Sequence, residues 1–209
     1  MNKRRWLLVL LVYALLFTPA VAEDASHSEI PAVTEICITE EQLADNDGVY
    51  LFLNALWGCT PEEFENLTGI MLGEAEEADF PNYGFSRKVF TQPKAELGIL
   101  SLKMTRMNVE FRNDSLWCVD GSFTSVDGVS NEYQTLLDHL IKLNGEPDHI
   151  VIRTSETNPM GMKSELRRWV GEYENGLISS IVLQISGKDE YTSLGFGWML
   201  AEPDKIVTE

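Results

Sequence analysis

The chain is poor in cysteine, in histidine and in positive charge. Three cysteines occur in 209 residues: Cys37, Cys59 and Cys118. So small and odd a number excludes a disulfide scaffold and leaves at most one internal bridge with one thiol over. Three pairings are open; a bridge from Cys59 to Cys118 would add about 4 kcal/mol on the chain-entropy argument. The fold must therefore hold itself together by burial. Lys and Arg number 16 against 33 Asp and Glu, a net charge of −17. Such a surplus repels a phosphate backbone and excludes nucleic acid as the main partner. Catalytic signatures are missing too. There is no Gly-x-Ser-x-Gly elbow, no His-Glu-x-x-His and no phosphate-binding glycine loop. Gly195-Phe196-Gly197 is too short for a dinucleotide fingerprint, and no cofactor is implied. Asp45-x-Asp47-Gly48 resembles a calcium loop only superficially. With Gly48 at the sixth position, Leu43 and Asn54 fall where that loop needs acids.

What is present begins with an export signal. Lys3, Arg4 and Arg5 form a positive start, and Trp6 to Phe17 is an uninterrupted apolar run of 12 residues. Pro19 then breaks the run, and Ala20-Val21-Ala22 offers a small-x-small cleavage site, so residues 1–22 read as a signal peptide cut after Ala22. The run falls short of the roughly 20 residues that span a bilayer, which argues against a retained anchor. No cysteine follows the cut directly, so the bacterial lipid-attachment box is missing. The expectation is a secreted or extracytoplasmic protein with no stable membrane insertion after cleavage.

Residues 23–35 are polar and aperiodic and read as a flexible lead-in; 202–209 read as a flexible tail. Between them, 36–201 is expected to be one domain. Thr39 with Glu40, Glu41 and Gln42 looks like a helix cap and first turn. The apolar run 49–57 reads as a buried strand. Thr60-Pro61-Glu62-Glu63 starts a helix, with apolar residues at helical spacing to Leu72 and Gly73 as its stop. The acidic stretch 74–79 reads as a loop. Strands follow at 85–91, 97–104, 107–112 and 116–123, with a hairpin turn at Asn113-Asp114. A second helix runs over 131–143 and ends at Asn144-Gly145. Strands are expected again at 149–153, 165–173, 177–186 and 193–200, with Asn175-Gly176 as a hairpin turn.

The order helix, strands, hairpin thus occurs twice. Phe64, Thr68 and Met71-Leu72-Gly73-Glu74 align with Leu136, Leu140 and Leu143-Asn144-Gly145-Glu146. The fold expected is α+β: two tandem helix-plus-antiparallel-sheet units, about 49–125 and 126–200, forming one compact two-layer domain. A bulged turn in each hairpin places Trp169 and Tyr173 beside Ile181 and Leu183 in the core, with Glu172 and Glu174 in water. An unbulged turn would bury those carboxylates without partners. The same register puts Trp117 with Met107, Val109 and Phe111.

Three segments carry a resemblance: Trp57-Gly58-Cys59-Thr60-Pro61-Glu62-Glu63-Phe64; Phe111-Arg112-Asn113-Asp114-Ser115-Leu116; and Tyr133 to Pro147 with its Leu143-Asn144-Gly145-Glu146-Pro147 end. Over about residues 49–200 they resemble small exported bacterial proteins, the β-lactamase inhibitory proteins and the SmpA/OmlA lipoproteins. Those families have no catalytic residues to carry over. The resemblance implies a binding or scaffolding role with a protein partner.

Two other classes compete. Cys59, at a helix start where a dipole favours the thiolate, is the catalytic candidate for a cysteine hydrolase, with His139 or His149 as base. A carboxylate-dependent hydrolase is the variant of that reading. Against it stands the ordinary role of a small packed or bridged thiol. The third class is a carbohydrate-binding module using the strand aromatics Trp117, Trp169 and Trp198, although their spacing also suits the core. Glu74, Glu76 and Asp79 are candidate ligands for a loosely held cation, or else a solvated charge run. The leader gives the first prediction: exported material starts at Glu23 by mass spectrometry, and an intact Met1 start would overturn it.

Overall fold

The computed structural model describes residues 34–91, 95–100, 102–158 and 161–201, all within one compact unit. The segment expected as a signal peptide, most of the expected lead-in and the expected tail lie outside them. Strand outweighs helix. The strands are β1 (Thr34–Ile38), β2 (Ala75–Phe80), β3 (Phe85–Thr91), β4 (Ala95–Ile99), β5 (Leu102–Lys103), β6 (Arg106–Arg112), β7 (Ser115–Thr124), β8 (His149–Arg153), β9 (Lys163–Glu172), β10 (Ile178–Gly187) and β11 (Ser193–Ala201). The helices are α1 (Glu40–Leu43), α2 (Pro61–Thr68) and α3 (Ser130–Asn144).

Eight strands make one antiparallel sheet in the order β2-β3-β6-β7-β11-β10-β9-β8; β1, β4 and β5 make a second, smaller one, with β1 and β4 parallel. This corrects the expected α+β fold of two helix-plus-sheet units: the protein is a β-rich, two-sheet packing. The sheet runs unbroken from β7 into β11 through a seven-residue ladder. The small sheet draws only on residues before β6 and has no counterpart in the second half. The two helices also differ, α2 having 8 residues and α3 15.

The local signals explain most elements. Thr39 and Thr60 each close a capping box, with Gln42 and Glu63 respectively, and Pro61 occupies the first turn of α2. That helix stops four residues earlier than expected because Gly69 adopts φ +72° and its N–H caps Glu65. The run 49–57 is not a strand. Asp47-Gly48 and Leu53-Asn54 all have positive φ and fold it into two successive tight turns. Its apolar content is used all the same, since Tyr50, Phe52, Ala55 and Trp57 are buried. The acidic stretch 74–79, expected as a loop, supplies β2, and Leu100 at φ +56° divides the expected strand 97–104 into β4 and β5.

One face of the large sheet carries the core. Met107, Val109, Phe111, Leu116, Val119, Leu194, Phe196, Trp198, Ile181, Leu183, Ile185 and Trp169 all point to it. The helices and the small sheet pack there. Phe64 of α2 meets Phe111 edge-on at 6.0 Å, and Tyr133 of α3 donates to Glu165 of β9. A Cβ on Gly121 would come within 3.2 Å of Leu97 and 3.1 Å of Met104. The β9–β10 register is the one the carboxylate argument selects. Trp169 faces Ile181, both fully buried, while Glu172 and Glu174 are exposed. Tyr173 is half-buried and donates its hydroxyl to the Trp57 carbonyl at 3.0 Å. In the first hairpin the bulge falls at Trp117, so Leu116 and not Trp117 takes the core position.

Trp169 also donates its indole N–H to the Gly145 carbonyl at 2.9 Å, tying the end of α3 to β9. Truncation to alanine leaves a large cavity and an unpaired acceptor. Trp169→Ala is expected to cost about 3–5 kcal/mol in urea denaturation, and Glu172→Ala less than about 0.5 kcal/mol. The reverse ranking would overturn the register.

Candidate binding face

Alternation along each strand gives the large sheet a second face, and its residues are mostly polar. On β6 they are Arg106, Asn108, Glu110 and Arg112, between core residues Met107, Val109 and Phe111. Opposite them stand Arg87 and Val89 on β3, and Cys118, Asp120 and Ser122 on β7. Beyond lie Gly195, Gly197 and Met199 on β11, Ser180, Val182 and Gln184 on β10, Leu166 and Arg168 on β9, and His149 and Arg153 on β8. No described helix and no strand of the small sheet packs on this face. Even so, Asn108, Glu110, Ser164, Ser180, Gln184 and Ser186 are buried.

At the β3–β6–β7 end the charges are matched. Glu110 accepts a hydrogen bond from Arg112 Nε at 2.7 Å and forms an ion pair with Arg87, whose Nε lies 3.0 Å away. The Arg112 guanidinium lies over two rings, 4.7 Å from Phe85 and 4.5 Å from Trp117. One strand position further, Asn108 donates its amide to Asp120 at 2.9 Å and accepts from Arg106 Nε at 3.3 Å. Burial raises the Asp120 carboxyl to about 7, nearby Glu110 adds to the rise, and the Asn108 bond opposes it. Cys118 lies 4.0 Å from Asp120; burial first, then Asp120 and Glu110, push its thiol well above the usual range.

The centre of the face has no side chains over two positions of β11, Gly195 and Gly197. A Cβ on Gly195 would touch only Gln184, at 4.0 Å, whereas one on Gly197 would meet Asp120 and the Val119 carbonyl at 3.0 Å. A strip of bare backbone thus runs between Asp120 and Ser122 on one side and Val182 and Gln184 on the other. Beyond it, Arg168 donates to the Met199 sulfur at 3.5 Å. Burial lowers its pKa, although a guanidinium stays charged at any ordinary pH.

The residues singled out from sequence lie elsewhere or apart. Cys59 is buried just before α2, and its thiol is raised to about 11, by burial first and then by Glu63. It stays protonated at neutral pH, against the helix-start expectation. Its proposed bases are not beside it. His139 on α3 contacts Glu40 at 3.0 Å, and His149 sits on the opposite face of the sheet. Cys37, Cys59 and Cys118 are all free and lie on three different elements. Glu74 precedes β2, while Glu76 and Asp79 point to opposite faces of it. Among the described residues no group of three or more His, Cys, Asp or Glu side chains converges as a metal site. Trp169 and Trp198 are fully buried and cannot receive a sugar ring; Trp117 lies beneath Arg112.

None of Arg87, Glu110, Asp120 or Arg168 was marked by a motif, and Arg112 entered only as part of a segment that carries the resemblance. The available signal was the period-two polar set at 106, 108, 110 and 112, set between apolar residues. Comparison with protein-family models, curated proteins and solved structures found no match to this chain.

Asp120 makes a measurable demand on stability. Its folded pKa lies above the ordinary carboxyl value, so the folded state keeps this proton longer than the unfolded chain. Its contribution is full below about pH 4 and is lost as the pH rises to about 7. Asp120→Asn retains an acceptor for Asn108 and removes the titration. In urea denaturation at pH 4, 6 and 8, the variant is expected to gain on the wild type as the pH rises, by up to about 4 kcal/mol at pH 8. Parallel pH profiles would overturn this account of Asp120.

Proposed function

We propose that this chain is an exported, non-enzymatic binding protein that recognises a protein partner through the polar face of its eight-stranded sheet. One observation carries the reading: a sheet face of largely buried polar groups, some paired with one another and some holding unpartnered donors, on which no described helix or strand packs. Ordering such groups before binding lowers the entropy lost on association. A face held by backbone ladders on both sides of β11 suits recognition better than a set of loops. The export signal and the resemblance to β-lactamase inhibitory and SmpA/OmlA proteins support the same reading. The buried, protonated thiol of Cys59 and the buried tryptophans speak against the hydrolase and carbohydrate-binding readings.

Gly195 gives the test because a Cβ there would meet only Gln184, at 4.0 Å. Gly195→Trp is expected to keep the folded circular dichroism spectrum. It should reduce capture of the partner from the secreting cell at least tenfold relative to wild-type bait. A partner retained equally by both baits would overturn the assignment of this face. Rapid thiol labelling of Cys59 at neutral pH would favour the hydrolase instead.

A further inference from the structure

Five of the six arginines that follow Arg5 lie on the polar face: Arg87, Arg106, Arg112, Arg153 and Arg168. The strand acids on that face are Glu76, Glu110, Asp120 and Glu172. In a chain where acids outnumber bases two to one, this one surface carries more cations than anions. Proteins of one overall sign that concentrate the other sign on one patch favour a partner of matching charge there.

Within the patch the charges are unevenly matched. Arg87 and Arg112 share Glu110. Among the described residues Arg168 has no carboxylate beside it. Directly across from it stand Val182 and His149; Leu166 and Val170 flank it along β9, and Met199 accepts its only described bond. Its Nε is buried and without a partner. The diagonal neighbour Gln184, 2% exposed, likewise holds an unpartnered Nε2. Two buried donors at diagonal positions of adjacent strands are within reach of one two-oxygen acceptor. A buried cation without its counter-charge is costly, and so is an amide donor without an acceptor. Of the two glycines beside them, Gly195 leaves room for an incoming group, since a Cβ there would meet only Gln184, at 4.0 Å.

We infer that Arg168, with Gln184 as second donor, is a receptor for a carboxylate carried by an acidic segment of the protein partner. The inference rests on the polar face being the recognition surface. Arginine suits this task because its planar fork matches both oxygens of a carboxylate.

The test is a titration with a hexaglutamate peptide, followed through the arginine Nε–Hε signals and the backbone amides of the 15N-labelled protein. Sodium sulfate at matched ionic strength and a hexalysine peptide serve as comparison probes. The Arg168 signal is expected to shift saturably with hexaglutamate, and far less with either comparison probe. Arg168→Gln should weaken hexaglutamate binding at least tenfold, while Arg153→Gln weakens it less than threefold. The unfolding midpoint of Arg168→Gln should equal or exceed that of the wild type, because the substitution removes an unpaired buried charge. A lower midpoint would show that the arginine is already paired within the fold and overturn the proposal. Undiminished binding by Arg168→Gln, with shifts elsewhere on the face, would overturn the Arg168 receptor and keep the face. Shifts confined to other surfaces would overturn both. An equal response to sulfate would make the site a free-anion site. An Arg168 signal that moves with protein concentration alone would make a second copy the occupant. Either of these last two results overturns the proposal.

Discussion

A chain of aromatic contacts through the middle of the core holds the separate parts of the molecule to one sheet. Phe196 and Trp198 meet edge-on within β11 at 4.9 Å, and Trp198 meets Phe52 of the turn region at 5.0 Å. Phe52 stacks on Phe64 of α2 at 6.0 Å; Phe64 meets Phe111 of β6, and Phe111 meets Phe90 of β3 at 5.7 Å. Each such pair adds about 0.5–1.5 kcal/mol beyond the area it buries. The geometry matters more than the sum. Phe52 is the link between the strands of the second half and the helix of the first.

Those turns are held by polar contacts of the same directness. Tyr50 donates its N–H to Ser179, Trp57 donates its indole to the Tyr50 carbonyl, and Tyr173 closes back onto Trp57. Gly171 is required where they cross β9, because a Cβ there would fall 2.1 Å from the Gly48 carbonyl oxygen. At the other end, Asn144 bridges from the end of α3 to Leu43 and Asp45. All of this occupies one side of the large sheet. The other side is left to polar residues whose positions are set by ladders already fixed from beneath, which is what gives that face a defined geometry.

The sequence revealed what a single residue or a short pattern decides. Capping boxes at Thr39 and Thr60 marked helix starts, and Trp169 against Glu172 decided a register by the cost of burying carboxylates. The turn region was misread because an apolar run says that a segment is buried and not how it travels. Positive φ at Leu53 and Asn54 reverses the chain, and neither residue announces that in a window rich in Leu and Phe. The strand β2 was missed for the opposite reason. Ala-Glu-Glu-Ala-Asp-Phe has weak strand preference, and edge pairing with β3, aided by Lys88 bridging Glu77 and Asp114, supplies the order that its own residues do not. The two-unit fold failed at a longer range. Matching helix ends and hairpins do not reveal whether two sets of strands join edge to edge, and β7 against β11 is a pairing of residues 69 to 81 positions apart. The candidate site was hidden in the same alternation. Charged residues at 106, 110 and 112 broke no apolar stripe, so the strand was read for its core face alone.

Arg167 and Arg168 condense the argument into two adjacent residues. They have the same side chain, and strand alternation sends them to opposite faces. Arg167 reaches Glu165 at 2.5 Å and the Tyr133 hydroxyl at 3.0 Å, so its charge is matched by groups that also join α3 to β9. Arg168 finds the Met199 sulfur, with Val182, Leu166, Val170 and His149 around it and no carboxylate among its described neighbours. Local sequence offers both the same chance of a carboxylate partner; among the described residues, tertiary structure gives one to Arg167 and none to Arg168. Stability alone would favour an uncharged residue at the second position, since replacing a buried unpaired charge by a neutral group of similar volume relieves its desolvation. A charge kept where folding does not use it points outward, to whatever meets this face.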